Sequence, residues 1–168
     1  KTLFTTNCSW VLTQRMCDAL CSERFSSPSP AGTYPFPPPE VVAGLSTSRL
    51  RERAPVGYRA AFLKELAEFL CSEEGKALCA AREVTRDVLH DTFRSLRGFG
   101  PYAVQHVLVT MGHFGEVPVD SEVRAFVERH HGTSEVDAHI RNRYASWGKF
   151  AWWGYKMDRM LVRQNWIG

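Results

Sequence analysis

Two short stretches hold the residues whose types and spacing suit chemistry. The first is Leu96-Arg97-Gly98-Phe99-Gly100-Pro101-Tyr102-Ala103; the second, one apolar helix later, is Val117-Pro118-Val119-Asp120-Ser121-Glu122-Val123-Arg124. Glycines separated by one residue let the backbone take tight, partly positive-φ conformations, and Pro101 suits a first helical position, where its missing N–H costs nothing. Amides of such a turn, Gly100 among them, point outward with the positive end of a helix dipole behind them, so a phosphate oxygen is a natural occupant. The same turn would also serve merely to reverse the chain. Pro118 forces the following segment to enter a new helix at Asp120 or Ser121. Asp120 then stands at a helix mouth, where an aspartate caps by accepting an amide hydrogen bond.

The elements that position these residues read as helices. Glu83 to Arg94 places Val84, Val88, Leu89 and Phe93 toward a core, and Val104, Val107, Leu108 and Met111 recur at helical spacing before Gly112 and Gly115. Together residues 84–112 form a hairpin of helices, and residues 115–131 carry Asp120 into a helix with Val123, Phe126 and Val127 inward and Gly132 at its end. Upstream, Leu3 and Phe4 end an apolar element, and Ser9 to Cys21 is a helix with Leu12, Met16, Ala19 and Leu20 inward. Six prolines between Ser26 and Pro39 exclude a helix or a central strand there. Pro37 to Leu45 and Thr47 to Arg53 follow as short helices, the second capped by Thr47 or Ser48. A helix opening at Val56-Gly57-Tyr58-Arg59 runs to Cys71, while Ser72 to Arg82 is polar and defines no element. Ser134 caps a helix through Tyr144, and the aromatic run from Trp147 to Trp166 reads as a last core helix. Its stripe Trp147, Phe150, Trp153 and Tyr155 serves either the core or stacking on bases. No strand signal occurs, so the expected fold is all-α, two lobes of short helices with the hairpin at their junction.

In order and spacing, Leu96 to Arg124 resembles the hairpin and active-site segment of the helix-hairpin-helix DNA glycosylase superfamily (HhH-GPD). The resemblance extends over residues 1–168 and includes the 8-oxoguanine and 3-methyladenine glycosylases. It implies that Gly98, Phe99, Gly100 and Tyr102 belong to a hairpin gripping DNA, and that Asp120 is catalytic. It places Asn7 in the loop that inserts beside a flipped nucleotide, although Cys8 and Ser9 replace the asparagines that follow in relatives; without the resemblance, Asn7 is an N-cap or turn residue. A Gly-Tyr-Arg triplet at 57–59 also fits, with Tyr58 expected to pack and Arg59 to serve structure or touch DNA.

The activity so implied is hydrolysis of the N-glycosidic bond of a damaged base flipped out of duplex DNA. Breaking that bond builds positive charge on the sugar, which a nearby carboxylate stabilises. Relatives that also cut the strand carry a lysine two residues beyond the second glycine. Tyr102 stands there, and no lysine lies between Lys76 and Lys149, so the expected enzyme is monofunctional, without lyase activity. The competing reading is a non-catalytic helix-hairpin-helix DNA-binding module; a helical protein adaptor is a further one. No cofactor is expected beyond a possible monovalent cation at the hairpin. An iron–sulfur cluster is not expected either, because Cys79 is the last cysteine.

The 168 residues carry a net charge of +3, with 16 arginines to 5 lysines, which favours planar contacts to phosphate. Five cysteines, an odd number mixed among apolar helix positions, suit reduced thiols and no disulfide framework, so secretion is not expected. The expected compartment is the nucleus in a eukaryote or the cytoplasm in a bacterium. No run reaches the length of a membrane span. A start at Lys1, already in an apolar stretch, reads as a piece of a longer protein lacking an amino-terminal part. The expected state is a monomer, and the expected partner is double-stranded DNA carrying a damaged base.

Overall fold

Caps, prolines and apolar spacing divide the chain into ten α-helices and two 310 turns among the described residues, 1–163 of a computed structural model, with no strand among them. Chain contacts separate two units, Lys1–Phe99 and a second beginning at Gly100.

The first unit runs through a 310 turn (Thr2–Phe4), α1 (Trp10–Leu20), α2 (Pro39–Ala43), α3 (Thr47–Arg53), α4 (Arg59–Cys71), α5 (Glu73–Ala80) and α6 (Arg86–Ser95). Hydroxyl caps set four of these starts: Ser9, Ser46, Ser72 and Thr85 each accept the amide of the residue three positions on. Ser46, not Thr47 or Ser48, therefore begins α3. Packing centres on α4, which meets the 310 turn, α2, α3 and α5. With neighbours on several sides, α4 buries Ala60, Leu63 and Ala67, and the larger Phe62, Leu66, Phe69 and Leu70 keep partial exposure. Leu3, Phe4, Met16 and Leu20 are buried as well. In α6 only Leu89 is buried; Val88 is exposed, against the inward placement expected of it.

Residues 73–80, read from sequence as defining no element, form α5. Gly75 sits inside it because a Cβ there would lie 2.0 Å from the Phe69 carbonyl oxygen, so the end of α4 presses directly on the α5 backbone.

The second unit contains α7 (Pro101–Thr110), α8 (Ser121–His131), α9 (Val136–Arg143), a 310 turn (Ala145–Phe150) and α10 (Ala151–Arg163). Its core joins Val117, Val123, Phe126, Val127, Ile140 and Tyr155 with their neighbours. Gly132, at φ 65°, closes α8. Ser134 does not cap α9; Glu135 occupies the cap position without a side-chain bond, and Thr133 Oγ1 accepts the Glu135 amide at 3.2 Å. The aromatic run is not one core helix. Gly148 breaks it with φ 49°, so Tyr155 is buried while Trp147, Phe150 and Trp153 remain exposed. Met111 is exposed too, and Trp166 lies outside the described residues.

Candidate active site

The turn expected to hold DNA divides its work between its two glycines. Gly98 takes φ 89°, and a Cβ there would come within 2.6 Å of Leu3 Cδ1 and 2.8 Å of the Phe62 ring. Gly98 is therefore needed both for its conformation and for its close packing. Gly100 has φ −71° and ψ 177°, ordinary extended backbone, with open space where a Cβ would stand. Phe99 between them is buried, its ring 5.2 Å from Phe93. Arg94 donates to the Phe99 carbonyl at 3.2 Å, and Glu65 accepts the Arg97 amide at 3.0 Å and pairs with its guanidinium. These bonds fix the approach to the turn. At Gly100 and Pro101, α7 begins with no side-chain cap.

Asp120 stands at the start of α8 with both carboxylate oxygens engaged. It is the N-cap of α8, its Oδ1 accepting the Val123 amide at 2.8 Å. Its Oδ2 accepts the Tyr102 hydroxyl at 3.3 Å, and the Tyr102 ring stacks on His106 with centroids 5.9 Å apart. The cap consumes one oxygen and leaves the half-buried carboxylate a second, held from α7. Beyond it stands Tyr155 of α10, whose phenol is raised by burial and by the charges of Asp120 and Glu122, against a hydrogen bond from Arg159 that lowers it. A cleft of about 490 Å³ in the same unit is floored by Val117, Val119, Ile140 and Tyr144 and does not include Asp120.

In the first unit, Asn7 is exposed and takes φ 50°, the single positive-φ non-glycine residue among those described. Ser9 caps α1, so Asn7 is a turn residue rather than a cap, in a conformation asparagine tolerates. Arg59 holds this turn: its buried guanidinium donates to the carbonyls of Thr6 and, at 3.2 Å, Asn7. Tyr58, expected to pack, is instead 54% exposed. Its ring is braced by Arg59, 4.5 Å from the centroid, and edge-on by Phe62 at 5.8 Å. Sequence reasoning missed Tyr58 as a surface group because an aromatic before a helix ordinarily packs. The only available signal was the arginine beside it.

Among the described residues no group of three or more histidine, cysteine, aspartate or glutamate side chains could hold a metal ion, and no helix is long and apolar enough to cross a membrane.

No protein-family model matches the sequence, and no curated protein matches it by sequence. Its fold does match solved structures. A Clostridium acetobutylicum 8-oxoguanine glycosylase/lyase, in complex with double-stranded DNA containing cytosine opposite 8-oxoG, superposes with TM-score 0.74 at 17% identity, over 99% of this chain and 58% of that one. MBOgg1 in complex with a low-affinity DNA ligand gives 0.73 at 15% identity, over 91% and 54%. The 3-methyladenine DNA glycosylase of Archaeoglobus fulgidus gives 0.70 at 19%, over 92% and 56%. The chain thus has the all-helical helix-hairpin-helix fold of these glycosylases and spans a little over half the length of each.

Proposed function

We propose that the protein removes a damaged base from duplex DNA by hydrolysing its N-glycosidic bond, with Asp120 as the carboxylate at the sugar. The observation that carries this reading is the pair of bonds on Asp120: one oxygen fixed by the Val123 amide, the other facing the Tyr102 hydroxyl. A carboxylate that served only as a cap would not need a second donor brought from α7.

A duplex hides the glycosidic bond, so the target nucleotide must leave the stack. Backbone phosphate is held at the uncapped start of α7 beside Gly100, where amides and the helix dipole favour an anion. As the C1′–N bond breaks, its electrons leave with the base and positive charge develops on the sugar. The Asp120 carboxylate stabilises that charge and orients the water whose oxygen bonds to C1′; one water proton goes to the departing base nitrogen, with the second remaining on the new hydroxyl. Tyr102 supplies no amine, which supports base removal without strand cleavage.

Duplexes that each carry a different single damaged base test this directly. The expected result is release of free base from at least one of them by the purified protein, and loss of most of that release in Asp120→Asn with duplex binding kept. Salt-sensitive duplex binding with no release from any substrate would make the protein a DNA clamp instead.

A further inference from the structure

Glu65 of α4 holds the approach to the hairpin turn at two points. One carboxylate oxygen accepts the Arg97 amide at 3.0 Å, and the other accepts Nε of the Arg97 guanidinium. The bond from the amide holds the Glu65 carboxyl below the usual carboxylate range, outweighing burial, and the guanidinium adds to it, so Glu65 is charged at neutral pH. Phe62, three residues earlier on α4, supports both parts of residue 97. Its ring stands 2.8 Å from where a Gly98 Cβ would be, and the Arg97 guanidinium carbon lies 5.8 Å from its centroid. An ion pair this exposed contributes little to stability. Tying the turn to α4 does not account for an arginine here either, because the bond from the amide needs no side chain at position 97.

The two charges are not equally placed. The Arg97 side chain is 65% exposed and that of Glu65 27%, so the cation faces solvent with the anion behind it. A guanidinium is one rigid plane, and engaging Nε beside the Phe62 ring sets the direction of its two terminal nitrogens. Neither of these donates a hydrogen bond within the described residues. Arg94 differs: its terminal nitrogen is taken up by the Phe99 carbonyl at 3.2 Å. Two outward N–H groups on a fixed plane match two oxygens of a phosphate. On the reading of this turn as the grip on duplex DNA, we propose that Arg97 binds a backbone phosphate through its terminal nitrogens, with Glu65 as the residue that positions it. Turn amides carry no net charge, whereas a cation on a phosphate displaces counterions and adds about 0.9 to the steepness of log K against log salt concentration.

Filter-binding titrations of an undamaged duplex over a series of salt concentrations test the assignment. Arg97→Gln should weaken binding several-fold and make the salt dependence shallower by about one. Arg97→Lys keeps the charge without the fork, so it should keep the parent slope and lose about threefold or more in affinity. Glu65→Ala breaks the same bridge from the other side. A mere tie would make it behave like Arg97→Gln, whereas a phosphate contact predicts the parent slope. An Arg97→Gln slope equal to the parent's overturns the proposal. So does a Glu65→Ala slope lowered as far as that of Arg97→Gln, or an Arg97→Lys protein that binds as tightly as the parent. A parent protein with no salt-sensitive duplex binding would fail the reading of the turn itself, and the role of Arg97 with it, whereas the three variants bear on Arg97 alone.

Discussion

Tyr102 stands two residues beyond the second glycine of the turn, and its hydroxyl points at the Asp120 carboxylate from 3.3 Å. A contact of that length to a charged acceptor lies at the weak end of the range, worth about 1–1.5 kcal/mol. Tyr102→Phe keeps the ring on His106 and removes only this bond. Base release is expected to fall about tenfold, with the thermal midpoint nearly unchanged; an undiminished rate would show that Asp120 needs no support from α7. Asp120→Asn still offers an oxygen to the Val123 amide, so its stability should stay within about 1 kcal/mol of the parent by denaturant unfolding, separating the cap from the charge. Strand cleavage tests the residue that is missing. An amine nucleophile forms a Schiff base with the opened sugar that borohydride reduces to a permanent link, whereas a phenol has no nitrogen with which to form one. Intact abasic product, broken only by alkali, and no borohydride-trapped complex are expected. A trapped adduct would sink the monofunctional reading, and its peptide would identify the amine.

The hairpin turn makes the corresponding argument for an element. Gly98→Ala combines a positive φ with overlap against Leu3 and Phe62, and about 2–4 kcal/mol of destabilisation is expected. Gly100→Ala meets nothing and should leave unfolding within about 0.5 kcal/mol of the parent. Its methyl would nevertheless stand over the start of α7, so a several-fold loss of affinity for undamaged duplex is expected in filter-binding titrations; unchanged affinity with the fold intact would remove the turn from the DNA grip. The sequence announced this turn but not which glycine bore the strain, since either could. Asp120 and α8 were legible because their signals are local: Pro118 before the cap, apolar residues at helical spacing after it, Gly132 at the end. Helix α5 was not, because Gly75 reads as a helix breaker until the Phe69 carbonyl pressing on it is seen. Arg59 was legible only in part. Its partners, the carbonyls of Thr6 and Asn7, are distant in sequence, and nothing near it announces them. The aromatic run misled for a related reason: composition favours a core, but the left-handed Gly148 changes the face that the following residues present.

At the scale of the folded molecule, acid should loosen the second unit in two stages, and one buried cluster says why. Asp158 accepts hydrogen bonds from Arg143 at 2.6 Å and Tyr144 at 2.7 Å, with His131 3.5 Å away. Burial pushes the Asp158 carboxyl up, but the bonds from Arg143 and Tyr144 outweigh it and hold the group below the usual carboxylate range. Burial, with the nearby Arg143 charge, lowers His131, while burial and the bond to Asp158 push the Tyr144 phenol far up. Both acid-side shifts have the same sign. The unfolded chain takes up a proton at His131 near pH ~6.5 and at Asp158 near pH ~3.9, in each case before the folded chain does. Stability is therefore full above about pH 7, declines as pH falls below about 6.5 while His131 resists protonation, and declines again below about 4 until the lowered Asp158 value is passed. Circular-dichroism melts across this range should show both stages. His131→Gln is expected to remove the first and keep the second. Asp158→Asn should remove the second and destabilise by about 1–3 kcal/mol at neutral pH, the lower figures applying because Arg143 is partly exposed and can turn to water. A first stage that survives His131→Gln would assign it to another group, and an Asp158→Asn melt as acid-sensitive as the parent would mean that this cluster does not set the acid limit of the fold.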